Sequence, residues 1–172
     1  MSERTIVQSG SEAQTHAAGA AVGELAREGD VIAVMGELGA GKTQFVRGLA
    51  EGLGIDPRHV SSPTFVLVQE YEPSDPEGLV LVHIDAYRLQ GPDDLAGIGW
   101  GEELREQAVV AVEWADLVLP GLGEDRLEVR VEHVTGGRQL TFWPGGAWVP
   151  RIDFLRARLR DAGLSDHWPR HG

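Results

Sequence analysis

Apolar and polar positions switch between a helical and an alternating period along this chain, and the switches mark its elements. Thr5-Ile6-Val7-Gln8 is a short β-prone start. Ser9 or Ser11 is then placed to cap a helix running to about Glu28, with Ala17, Ala21, Val22 and Leu25 forming its apolar stripe. Asp30-Val31-Ile32-Ala33-Val34-Met35 is nearly continuous in apolar residues, as a strand buried on both faces is. Lys42 to Gly54 returns to helical spacing, with Phe45, Val46, Leu49 and Leu53 on one face. Thr64 to Tyr71 and Leu79 to Ile84 read as two strands. The segment between them, Glu72-Pro73-Ser74-Asp75-Pro76-Glu77-Gly78, suits a hairpin loop, so the strands are expected to be antiparallel neighbours. Pro92 to Gln107 is polar and broken by glycines, which predicts short helices and a mobile loop. Ala108-Val109-Val110-Ala111-Val112 resumes an apolar strand that ends at Glu113. Leu127, Val129 and Val131 then alternate with Arg126, Glu128, Arg130 and Glu132, and Thr135-Gly136-Gly137 turns the chain back into Gln139 to Trp143. The sum is one α/β domain over 1–144, with a mixed central sheet flanked by helices and a half-exposed C-terminal β-hairpin. Residues 145–172 form an extension, helical or flexible, in which Ile152, Phe154, Leu155 and Leu159 lie beside Arg151, Arg156, Arg158 and Arg160.

Composition narrows the function classes. At 172 residues and 42% hydrophobic content, one core is expected. The formal net charge of −12 repels a phosphate backbone over most of the surface, so broad nucleic-acid binding by this chain alone is not expected. The absence of cysteine excludes a disulfide framework. No early apolar run resembles a signal peptide and none approaches the roughly 18 residues of a membrane span, so a soluble cytoplasmic protein without a membrane partner is expected.

The chemistry concentrates at Gly36-Glu37-Leu38-Gly39-Ala40-Gly41-Lys42-Thr43, a complete G-x-x-x-x-G-K-T phosphate-binding loop between a predicted strand and a predicted helix. Lys42 is the only lysine in the chain. A compact ammonium fits between β- and γ-phosphate oxygens where a planar guanidinium does not. Gly36, Gly39 and Gly41 allow positive φ, so that several N–H groups turn toward one anion at the positive end of the helix. The residues expected to hold a nucleotide are therefore Glu37, Leu38, Gly39, Ala40, Gly41, Lys42, Thr43 and, one step into the helix, Gln44. The Thr43 hydroxyl is a candidate Mg²⁺ ligand. Such a site needs an acid at the end of a neighbouring strand, and two are offered, Asp85 and Glu113, which local pattern does not rank. Arg88 lies three residues after Asp85, His83 alternates with it along the strand, and Trp114 follows Glu113. Guanine reading through an Asn/Thr-Lys-x-Asp segment is excluded, because it needs a second lysine. A small-molecule kinase is the alternative, although no arginine-rich lid stands out between the central strands.

Four segments together resemble the TsaE family, the ATPases of bacterial tRNA threonylcarbamoyladenosine (t6A) biosynthesis. They are the phosphate loop with Phe45, Arg47 and Gly48; Val60-Ser61-Ser62-Pro63-Thr64-Phe65; His83-Ile84-Asp85-Ala86-Tyr87-Arg88-Leu89; and Val112-Glu113-Trp114. The resemblance spans roughly residues 5 to 142. It implies an ATP-binding and ATP-hydrolysing accessory protein, weak alone, that acts with the TsaB and TsaD proteins on a reaction at adenosine 37 of tRNA. By the family pattern Glu113 is a magnesium-shell acid alongside Thr43, Asp85 is needed for hydrolysis, and Lys42 is its phosphate-binding partner. Ser61 to Phe65 resembles a switch-like segment, and Thr15 lies where the family approaches adenine. Position 86 departs from the pattern, with Ala where a larger apolar residue is usual.

Overall fold

The computed structural model describes residues 4–61 and 67–164. The chain runs through β1 (Thr5–Ser9), α1 (Glu12–Leu25), β2 (Val31–Met35), α2 (Lys42–Gly52), β3 (Val68–Tyr71) and β4 (Val80–Asp85). It continues through α3 (Glu102–Arg105), β5 (Ala108–Glu113), β6 (Leu127–Val134), β7 (Gly137–Pro144) and α4 (Ile152–Asp161). The strands form one mixed sheet in the order β1-β7-β6-β2-β5-β4-β3. The centre is parallel, with β2 between β6 and β5 and with β5 beside β4, whereas β3, β7 and β1 join antiparallel.

The continuous apolar runs are explained by two layers. On one face Ile32, Val34, Leu81, Val109 and Ala111 pack with Phe45 and Leu49 beneath the helices. On the other, Val31, Ala33, Val82, Ile84, Val110 and Val112 are covered by Leu95, Val118 and Leu122 from connecting segments. The alternation in β6 is also kept: Leu127, Val129 and Val131 are buried while Arg130 and Glu132 are exposed. The hairpin is not the sheet's edge, however, because β6 is inserted beside β2 and β1 lies outermost.

Several boundaries move. The first helix is capped by Ser11, whose Oγ accepts from Gln14 N, and it stops at Leu25 rather than near Glu28. There Ala26 turns extended, and the Leu25 carbonyl accepts from Arg151 of the C-terminal region, satisfying an end that would otherwise lack a partner. Of the expected stripe, Ala21 and Val22 are buried and Leu25 packs partly against the core, but Ala17 is only half-buried, and Thr15, Ala18, Gly19 and Gly23 complete the buried face of α1. The reason is its crossing with α2. A Cβ at Gly19 would fall on the Phe45 carbonyl, one at Gly48 on the His16 carbonyl, and one at Gly52 on the Ala20 carbonyl. The two backbones touch, and only glycine lets them. The second helix ends at Gly52, with Gly54 at φ 82° reversing the chain just beyond. Of the expected strand Thr64 to Tyr71, β3 supplies Val68–Tyr71, antiparallel to β4, while 62–66 lie outside the described residues.

The region after Pro144 shares the main core. Trp148, Ile152, Leu155, Leu159 and Leu164 are buried in the helix-side cluster. Arg151 reaches Asp30 at 2.7 and 2.9 Å through its two terminal nitrogens, while its guanidinium stacks 3.9 Å over the Trp148 ring.

Candidate nucleotide site

The site lies at the C-terminal end of β2, where Met35 gives way to the glycine loop and α2 begins at once with Lys42. Gly36, Gly39 and Gly41 take φ of 150°, 76° and 111°, the region that side chains disfavour. A Cβ on Gly36 would also meet the Val131 carbonyl of β6, so the loop is pressed against the sheet edge it leaves. No side chain caps α2 at Gly41, which leaves the first-turn N–H groups of the helix available to an anion. Leu38 stands at the loop tip, 83% exposed.

Lys42 is buried under this turn. Its Nζ donates to the carbonyls of Gly36 and Glu37, each at 2.7 Å, and lies 3.9 Å from the centre of the Trp114 ring. Burial pulls its pKa below the ordinary lysine value, with Glu113, Asp116 and Asp85 opposing the shift. Trp114 reaches the lysine because its own backbone is left-handed, at φ 57°, immediately after β5.

The two acids left unranked by sequence occupy different positions. β4 and β5 run parallel with Asp85 in register with Glu113, so both side chains emerge on the helix-facing side of neighbouring strand ends. Thr43 Oγ1 donates to Glu113 Oε1 at 3.0 Å. The other Glu113 oxygen pairs with His83 Nε2, and both residues are almost wholly buried. Asp85 accepts from the Tyr87 N–H at 2.9 Å. Its burial pushes the carboxyl pKa up, chiefly by desolvation and further by the charge of Glu113, against the pull of Tyr87 N–H, His83 and Lys42. Thr43 and Glu113 offer hard oxygen donors, and no cluster of three His, Cys, Asp or Glu suited to a metal occurs among the described residues. That donor set fits a cation such as Mg²⁺ that takes most of its shell from phosphate oxygens and water, rather than one held by a protein cage.

On the other side of the loop is a cleft of about 190 Å³ between α1 and the start of α2, lined by Ser11, Thr15, Gly41, Gln44 and Arg138 among others. Thr15 is buried there, with its hydroxyl 2.7 Å from that of Ser9. Glu37, Leu38, Gly39, Ala40, Gly41 and Gln44 therefore all border the loop or this cleft. Arg88 is exposed, and Ala86 is fully buried against the second apolar layer. Of the segment Ser61 to Phe65, only Ser61 lies within the described residues.

Sequence reasoning missed two contacts. The alternation of His83 with Asp85 was visible, but the partner that matters, Glu113, becomes a neighbour only through strand register. Arg138 bonds to the Ala40 carbonyl at 2.8 Å across 98 positions, a contact for which no local pattern exists.

A mixed α/β sheet with a strand, glycine loop and helix carrying Lys42 and Thr43 defines a protein of the P-loop NTPase class. The family model described as "Threonylcarbamoyl adenosine biosynthesis protein TsaE" matches residues 9–140. The chain therefore belongs to the TsaE family, whose members are named as tRNA threonylcarbamoyladenosine biosynthesis proteins. It is 43% identical over 119 residues to the Streptomyces coelicolor protein of that name, covering 69% of this chain and 78% of the relative. It is 41% identical over 119 residues to the Bacillus subtilis protein, covering 68% and 71%. The crystal structure of Bacillus subtilis YdiB superposes with a TM-score of 0.69 at 30% identity, covering 95% of this chain and 98% of that one.

Proposed function

We propose that this chain binds ATP with Mg²⁺ and hydrolyses it as the accessory ATPase of t6A formation, acting with TsaB and TsaD and meeting tRNA only through them. The observation that carries the reading is the Thr43–Glu113 bond at 3.0 Å beside a lysine folded inside the phosphate loop. In this reading the loop amides and the first turn of α2 take the phosphates. Lys42 exchanges the Gly36 and Glu37 carbonyls for phosphate oxygens, a short swing for an ammonium already within the turn. Thr43 and Glu113 hold the metal, with His83 fixing the second Glu113 oxygen. Bound there, Mg²⁺ supplies charge neutralisation at the phosphate oxygens. Asp85, one strand away and aimed at the same space, orients the attacking water and accepts its proton. Thr15 and Gln44 border the cleft into which the nucleoside extends.

The isolated chain should turn over slowly if a partner completes the site, because an arginine supplied in trans is worth about 10³ to 10⁵ in related chemistry. Phosphate release from ATP, measured with and without a TsaB–TsaD complex, tests the proposal. Strong stimulation supports it. ATP loss that instead follows one metabolite and yields a phosphorylated product would point to the kinase alternative. Lys42→Ala should abolish turnover and leave the circular dichroism spectrum unchanged; undiminished hydrolysis would refute the assignment.

A further inference from the structure

A loop whose N–H groups face an anion turns its carbonyls outward, and those carbonyls need donors of their own. In the first half of this loop, Gly36 and Glu37 are served by Lys42 itself. In the second half the donor comes from elsewhere. Arg138 is the second residue of β7, just after the hairpin turn, in register with Ser9 of β1. Its Nε donates to the Ala40 carbonyl at 2.8 Å, one terminal nitrogen to the Gly39 carbonyl at 3.4 Å, and the other to the carbonyl of Gly137 at 3.1 Å. The side chain also forms part of the wall of the cleft beside Thr15 and Gln44.

We propose that Arg138 is a positioning residue of the nucleotide site. Resting on the ATP-binding reading above, the inference is that it fixes the Gly39 and Ala40 carbonyls, so that the Gly41 N–H, on the same peptide as the Ala40 carbonyl, stays aimed at the phosphates while the Ala40 N–H is spent on the Glu37 carbonyl. A planar fork of donors can span two successive carbonyls, which a point-like ammonium cannot do as well. Lys42 leaves its carbonyls when phosphates arrive, so Arg138 is the side-chain contact that, with the Ala40 N–H to Glu37 carbonyl turn, keeps the loop's shape throughout the cycle. The residue acts on the diphosphate end of the ligand, not on the base.

The test is calorimetric titration of the full chain and of its Arg138→Ala and Arg138→Lys variants, using ADP and, separately, pyrophosphate. Arg138→Ala should weaken both ligands by the same factor, about tenfold, which corresponds to about 1.4 kcal/mol. Arg138→Lys should recover only part of the loss. The unliganded melting midpoint should stay near that of the parent chain while the ADP-induced rise shrinks. Equal affinities across the three proteins would overturn the proposal. So would a loss confined to ADP, which would assign Arg138 to the nucleoside, or a fall in the unliganded midpoint that accounts for the whole loss. If the parent chain binds neither ligand, the ATP-binding reading itself fails and takes this one with it; failure of Arg138 alone leaves the parent's binding intact.

Discussion

At Asp85 folding and function pull apart. Its carboxyl is pushed above the ordinary range by burial, so the ionised form that would orient water is the form the folded chain disfavours. The sign follows. With a folded pKa above the unfolded value, the stability linked to this group is fully present below the ordinary carboxylate range and is lost as pH rises through the raised value. Asp85→Asn keeps an oxygen for the Tyr87 N–H and has no charge to lose. Its melting midpoint should therefore exceed the parent's at pH 7, with the gap closing near pH 4, as scanning calorimetry at the two pH values can show. Each kcal/mol gained should move the midpoint by about 2–4 °C in a chain of this size. The same variant should lose ATP turnover by at least about 100-fold, the scale of a positioned acid–base group. In the parent, turnover should fall on the acid side at a pH above the usual carboxylate range. A variant both less stable and fully active would contradict the role. At this scale the sequence was informative about residue types, since Lys42, Thr43, Asp85 and Glu113 were all marked by motif or strand end. It was silent on pairing, because His83 meets Glu113 and Arg138 meets Ala40 only after the sheet has formed.

Among the elements, the crossing of α1 and α2 leaves no room for a side chain at its glycines. Alanine is a better helix former than glycine by about 1 kcal/mol. At Gly48 that gain should be reversed, because the added methyl would fall on the His16 carbonyl of the other helix. Gly48→Ala is expected to cost about 1–3 kcal/mol as overpacking, read from the urea midpoint. Gly97→Ala, where no atom lies within 4 Å of the new Cβ, serves as the control and should be close to neutral. Periodicity found both helices and the Ala21 and Val22 part of α1's buried face but missed its glycines, since a glycine in a helical pattern reads locally as a weakness. That it is a contact surface depends on a partner helix some thirty positions away. Strand positions were more legible: burial on both faces of β2 and β5 and on one face of β6 follows directly from their continuous and alternating patterns.

For the molecule as a whole, the segment after Pro144 completes the core that the family-matched region shares. Trp148, Leu155 and Leu159 are covered on the helix side of the sheet, and Arg151 ties Asp30 and the end of α1 to them. Arg151→Ala should lower stability by about 3–5 kcal/mol, because Asp30 would remain buried without its counter-charge. Thermal unfolding checks this, and a midpoint unchanged from the parent would exclude a structural role for the pair. This tie was not legible in sequence, where Arg151 read as one more basic residue of an amphipathic helix. No helix of the described residues is long and apolar enough to cross a membrane. The glycine-seamed helices have a further consequence for how a ligand would be felt. Thr15 rides on one of them and Lys42 and Thr43 open the other, so the two ends of the candidate site are carried by helices whose backbones touch. A push on the wall beside Thr15 should then be passed on to Lys42 and Thr43 through the touching backbones rather than absorbed between the helices.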